Sequence, residues 1–467
     1  MLHDDVLLHI FESYVDEDTD TEKWITLVHV CRLWRNLVFQ SPRRLNLRLD
    51  CTPKKQMRDM DICWPPLPLI VRDFDDVFLD ASRVKNTIAA LEYNDRVSQI
   101  DLDAFPLKYV ANSKVLQKPS SELTHLKIGT TYHDGPVFPD SFLGGSAPRL
   151  QSLALIRIPF PGLPRLLSST THLVNLELCH IPTKGYIPPE VMATSLSALT
   201  SLNFLHLHFR FPNPHPARDG RHPPPPLTRS ILPNLTTIRF QGDSEYLEKI
   251  LARIDAPRTN ELCITFFNQF MFDTPQLFQF INRRPTLSTP TKGHITFSAE
   301  SIMVKFLSQT SDCGTLVVEI PCSESELRRL SSFQQVCNSS LPSLSMLEDL
   351  YIHEDPFWQP YWQSDVDNTL WLQLLRPFAA VKNFYLDENF VPHFAPALQE
   401  LVVGRSTEVL PTLENIFLDV FHPSEPFHED VEKFVAARRL TNHSVAISRW
   451  DRDLEQDRWK KRMRYCW

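Results

Sequence analysis

The sequence predicts an α+β protein: three short helices at the N-terminus, then an irregular α/β solenoid built on a curved parallel sheet. Three observations predict it. Apolar residues recur at helical spacing through roughly the first forty positions. A six-residue pattern, apolar at its first, fourth and sixth positions, returns through most of the remainder. The chain is 467 residues long and 42% hydrophobic, enough to bury a large core.

The helices come first. Asp4 and Asp5 precede "VLLHIFESYV", where acidic side chains suit a helix N-terminus. Val6, Leu7, Ile10, Phe11 and Tyr14 form one wide apolar face, and the acidic run 16–20 ends it. Thr21 is placed to cap a second helix, on which Trp24, Leu27, Val28 and Cys31 share a face. A third carries Leu33, Trp34, Leu37 and Val38, and Pro42 closes it. Three helices this short cannot cover all of that apolar surface among themselves, so part of it is expected to face a partner.

The string "LHDDVLLHIF…WITLVHVCRLWRNLV" resembles an F-box, the motif that recruits a protein to a Skp–cullin ubiquitin ligase. Leu2, Val6, Leu7, Ile10, Phe11, Leu27, Val30, Cys31, Arg32, Trp34, Arg35 and Leu37 match the family pattern in order, and His3 stands where the family usually has Pro. The resemblance implies an adaptor contact through Leu2, Val6, Leu7, Ile10, Phe11, Leu33 and Trp34. It also implies a Skp-type adaptor as partner and, through it, a cullin.

The repeat pattern is spelled by "LTHLKI" (123–128), "LQSLAL" (150–155), "LVNLEL" (173–178), "LNFLHL" (202–207) and "LTTIRF" (235–240), which recur 23 to 33 residues apart. "LEDLYI" (347–352), "VKNFYL" (381–386), "LQELVV" (398–403) and "LENIFL" (413–418) continue it, while "ELCITF", "HITFSA" and "TLVVEI" read as strands without the full signature. The array resembles a degenerate leucine-rich repeat, of the kind seen in divergent fungal F-box proteins. Each repeat leaves its apolar face open until a neighbour stacks on it. "PGLPRLLSSTTH" and "EYLEKILARI" supply short helices between strands.

The expected organisation is an F-box at 1–45, a linker with the first irregular repeats at 46–118, and the solenoid at 119–425. Two loops interrupt it: the proline-rich 211–226, and 353–368, which carries Phe357, Trp358, Tyr361 and Trp362. Residues 426–467 form a terminal helix, a strand and the basic tail "RWKKRMR".

Composition and motifs exclude several functions. A net charge of −8 argues against a nucleic-acid surface. The nine cysteines are scattered and never spaced C-x-x-C, which suits reduced thiols in the cytoplasm or nucleus. No signal peptide or membrane span is expected. No phosphate-cradling, nucleophile-elbow or zinc-protease motif occurs, so the chain is expected to be a non-catalytic subunit without cofactor. His206, His208, His215 and His222 are the densest potential metal ligands, but no Cys or carboxylate stands at ligand spacing in the chain, and no metal is expected.

The function expected is therefore binding: presentation of a protein substrate by the repeats while the box docks to the adaptor. The alternative is a repeat scaffold whose box no longer recruits a ligase. Between the apolar strand positions, side chains should point to the opposite sheet face. That face carries His125, Lys127, Asn175, Glu177, His206, His208, Thr237, Arg239, Asp349, Tyr351, Asn383, Tyr385, Asn415 and Phe417. Its aromatic members, Tyr351, Tyr385 and Phe417, lie with Phe357, Trp358 and Trp362 in the C-terminal half, where substrate contact is expected.

Overall fold

A computed structural model describes residues 3–16, 23–52, 67–73, 81–102, 107–111, 114–131, 134–212, 228–267, 273–308, 314–321, 330–331, 334, 337, 344–355, 367–402, 405, 407–419 and 426–450. The chain divides into two compact units, 1–210 and 211–467.

The first unit opens with helices α1 (Asp4–Asp16), α2 (Trp24–Val30) and α3 (Arg32–Gln40). Phe11, Trp24 and Val38 are fully buried, with Leu7, Leu8, Leu27, Val28 and Leu37 around them. The expected face on α2 changes at Cys31. That residue is exposed and extended between α2 and α3, where its sulfur accepts the Trp34 N–H at 3.5 Å. The Trp24 indole N–H donates to the Arg48 carbonyl at 2.9 Å, tying α2 to the segment that enters the sheet.

Seven strands follow in this unit: β1 (Leu49–Cys51), β2 (Leu69–Asp73), β3 (Val97–Leu102), β4 (His125–Gly129), β5 (Ser152–Ile156), β6 (Asn175–Ile181) and β7 (Phe204–Phe209). They pair in chain order and all in parallel, so strands run from residue 49 onward, through the region expected to hold a linker and the first irregular repeats. The leucine pattern explains the register. Leu126, Leu153, Leu176 and Leu205 stack as one row; Ile128, Leu155, Leu178 and Leu207 form the next. The first leucines of the pattern, Leu123, Leu150, Leu173 and Leu202, are fully buried just before each strand. Burial of each such side chain contributes roughly 1.5–3 kcal/mol, so the stacked rows dominate the unit's stability.

In the second unit the strands are β8 (Ser230–Ile231), β9 (Thr237–Gly242), β10 (Ile254–Asp255), β11 (Glu261–Phe266), β12 (Lys292–Phe297), β13 (Ser301–Leu307), β14 (Thr315–Pro321), β15 (Asp349–Glu354), β16 (Asn383–Leu386), β17 (Asn415–Leu418) and β18 (Ala446–Arg449). β8 and β10 form a small parallel pair. The others are ordered β9-β11-β14-β13-β12-β15-β16-β17-β18, parallel except for β13, which runs antiparallel to both neighbours. This is an α/β repeat fold, and the single reversal breaks its periodicity. The segment "LQELVV" is not a strand: residues 391–399 are helical, and Leu401 is buried in the turn that follows. Its apolar spacing fits either period, and tertiary packing chose the helix.

Among the described residues, no helix is long and apolar enough to cross a membrane.

Candidate functional site

Three regions carry the residues that the sequence singles out. On the N-terminal helices, Val6 and Ile10 lie one turn apart on α1 and are 44% and 49% exposed. Leu33 at 40% and Val30 at 59% are also open. Leu7 and Phe11 behave differently from the expectation for adaptor contacts. Both are buried inside the module, Phe11 against the Trp34 ring at 4.7 Å, because a core of three short helices needs every large side chain it can enclose. Trp34 itself is half-buried. Leu2 lies outside the described residues.

The second region is the face of the C-terminal sheet opposite the leucine rows. His294, Tyr351, Tyr385 and Phe417 occupy one rung position on four successive parallel strands. Their rings stack nearly parallel at 4.3, 4.1 and 4.5 Å. Alongside runs a polar ladder. Asn415 donates to Asn383 at 2.8 Å, Asn383 donates to Asp349 at 2.7 Å, and Lys292 lies 3.5 Å from the same Asp349 carboxylate. Tyr351 is on the expected face but is only 2% exposed. Trp450, just past β18, sits 5.8 Å from Tyr351 and 5.7 Å from Tyr385, so the C-terminal segment covers the ladder that the sequence reading left open. Tyr385 and Phe417 remain half-exposed. Phe357, Trp358 and Trp362 lie outside the described residues.

The third region was not foreseen. Strands β6 and β7 pair Glu177 with His206 and Leu178 with Leu207, and the register then slips so that Ile181 pairs with Phe209. Two residues, Cys179 and His180, therefore stand opposite His208: a β-bulge. His180 takes up the excess with φ +51, in the left-handed region that non-glycine residues seldom enter. The result gathers polar side chains. The Cys179 thiol donates to Glu177 Oε1 at 3.3 Å, and its sulfur lies 3.4 Å from His206 Nδ1. His206 Nδ1 is 3.6 Å from Glu177 Oε1, and the His180 and His208 rings are 4.1 Å apart. Burial pulls His208 down to about 3, helped by the nearby His180 and His206 rings, so its imidazole is neutral at pH 7. Burial pushes the Cys179 thiol up, and the Glu177 carboxylate adds to it. The hydrogen bond to His206 holds Glu177 below the usual carboxylate range.

Sequence spacing missed this cluster because it considered His206 and His208 only with histidines downstream. His215 and His222 lie outside the described residues. The Cys and carboxylate come instead from the preceding repeat. The available signal was the pair of strings "ELC" and "HLH", which the leucine register places side by side.

No known protein family matches the chain, and no curated protein matches it. Among solved structures it is similar to the leucine-rich repeat-containing protein LegL7 from Legionella pneumophila. The two are 12% identical, with 83% of this chain and 97% of that chain covered and a TM-score of 0.27.

Proposed function

We propose that this protein is the substrate-recognition subunit of a Skp–cullin–F-box ubiquitin ligase, working in the cytoplasm or nucleus. The observation that carries the reading is the division of labour in the N-terminal helices. Leu7, Phe11, Trp24, Leu27 and Val38 close a small core, while Val6 and Ile10 on one face of α1, with Val30 and Leu33, stay open to solvent. Large apolar side chains grouped on one helix face are what a partner contact requires. The chain supplies no chemistry of its own in this reading. Ubiquitin transfer belongs to the partners, and the repeat domain contributes proximity by holding a protein substrate. Tyr385 and Phe417, beside the polar ladder, offer the aromatic and amide contacts that protein recognition favours.

The test is co-purification of the full chain with a Skp-type adaptor. Val6→Glu with Ile10→Glu should weaken binding by about 30-fold or more, equivalent to roughly 2 kcal/mol. The melting temperature of the variant should stay at the wild-type value, because both positions are exposed. Equal capture of variant and wild type would refute the docking face. Failure of the wild type to bind would favour a scaffold with a non-docking box, a reading to which His3 in place of Pro lends support.

A further inference from the structure

We propose that Glu177, Cys179, His206 and His208 form a zinc(II) site on the face of strands β6 and β7. Two i, i+2 pairs on adjacent parallel strands put four donors on one side of the sheet, while the residues between them, Leu178 and Leu207, are buried on the other. Three of the donor atoms are already spaced for a small tetrahedral ion. With metal–ligand bonds of about 2.0–2.3 Å, the edges of such a tetrahedron are about 3.3–3.8 Å. Glu177 Oε1, Cys179 Sγ and His206 Nδ1 form a triangle with sides of 3.3, 3.4 and 3.6 Å. Ligand atoms of Cys179, His206 and His208 all lie within 4.8 Å of one another, a second triad that shares two donors with the first.

The donor chemistry selects the ion. One thiolate and two imidazoles suit zinc among the common divalent cations, whereas calcium and magnesium take sets of oxygens and find a single carboxylate here. On binding, the Cys179 thiol releases its proton to solvent and the thiolate donates an electron pair to the metal. Thiolate and carboxylate together then neutralise the two positive charges, which limits the cost of placing an ion on a partly buried face. Four protein ligands leave no position for a substrate, so the site is structural, a clip between two repeats. The bulge fits that role. Its extra residue, His180, packs its ring over His208 at the edge of the site.

Cobalt(II) titration of the full chain, stripped with chelator under reducing conditions, tests the site without reference to adaptor binding. The wild type should take up one cobalt per chain, show a thiolate-to-cobalt charge-transfer band, release it to zinc, and melt at higher temperature with zinc present. Cys179→Ser should lose the charge-transfer band. His206→Ala with His208→Ala should weaken uptake by on the order of 100-fold, at least what loss of an outer-shell partner costs. Far-UV circular dichroism of the metal-free variants should match the wild type. Should the double variant misfold, His208→Asn alone serves in its place. Absence of saturable uptake by the wild type, or identical spectra and affinity for wild type and Cys179→Ser, overturns the proposal and leaves only a hydrogen-bonded trio.

Discussion

Arg284 offers a sharp measure of how the second unit is held together. It lies between the helices 275–282 and 285–288 and is buried. Its Nε donates to the Ala256 carbonyl at 2.9 Å, one Nη to the Phe280 carbonyl, and the other to Asp255 Oδ1 at 2.8 Å. The guanidinium also stands 3.3 Å over the Phe280 ring centroid. Burial lowers its pKa to about 10 with Asp255 opposing, so it remains charged at pH 7. Replacing it by Leu takes the donor from the Phe280 carbonyl and one of two donors from the Ala256 carbonyl, which keeps the Thr259 N–H at 3.1 Å. The two losses cost about 1–2 kcal/mol each, while Asp255, partly open to solvent, rehydrates at small cost. Leu recovers about 1 kcal/mol through its own burial, so the net loss is about 1–3 kcal/mol. For a unit of this size that lowers the melting temperature by roughly 2–12 °C. Arg284→Lys keeps the charge but cannot serve three acceptors in a fork, and should lose about half as much. Urea and thermal denaturation of the full chain at pH 7 measure both. A Leu variant that melts within a degree of wild type, or a Lys variant less stable than Leu, would refute the reasoning.

Glu248 accepts from the backbone N–H groups of Gln276 and Leu277 at 2.8 and 2.7 Å, capping the helix of the next repeat, so Glu248→Ala should cost about 1–2 kcal/mol in urea unfolding. Trp450→Ala should bare Tyr351, read as faster iodide quenching of tyrosine fluorescence, while the circular dichroism spectrum keeps its shape. His294 is held well below 6.5 by burial, then by His353, Lys305 and Lys292. As pH falls through 6.5 the unfolded chain takes up a proton that the folded chain refuses, so this contribution to stability is complete above that pH and declines below it. His294→Phe keeps the ring stack and should flatten the acid limb of a stability-versus-pH curve by up to about 1.4 kcal/mol per pH unit.

What the sequence made legible was local. Leu123, Leu126 and Ile128 are three letters of one pattern, and the same spelling in each repeat fixes both the strand and its register. The three N-terminal helices were legible for the same reason, since their apolar spacing lies within single turns. Contacts assembled from distant segments were not. Strand β13, "SIMVKFL", carries no repeat signature because its partners on both sides run the other way. Whether Tyr351 is open depends on Trp450, a hundred residues downstream and unrelated in pattern. Cys179 and His208 belong to different repeats and meet only through strand pairing, and the bulge that follows them, carrying His180, has no fixed spelling. Burial of Leu7 and Phe11 beside exposure of Val6 and Ile10 required the packing angle of α1, which periodicity leaves undetermined.

The reversed strand β13 has a consequence for synthesis. In an all-parallel array, each new strand can settle on the edge of the one made just before it. Here β12 leaves the ribosome after β11 yet takes a place three positions away, and the edge of β11 stays bare until β14 arrives. Strands β12 and β13 can pair as a hairpin, but they join β11 only through β14. A nascent chain stalled between residues 297 and 315 would carry an open parallel edge, the surface on which a second chain pairs most readily. The same feature stops this part of the molecule from gaining or losing single repeats by duplication, because the smallest block that keeps every strand paired is the whole three-strand insert.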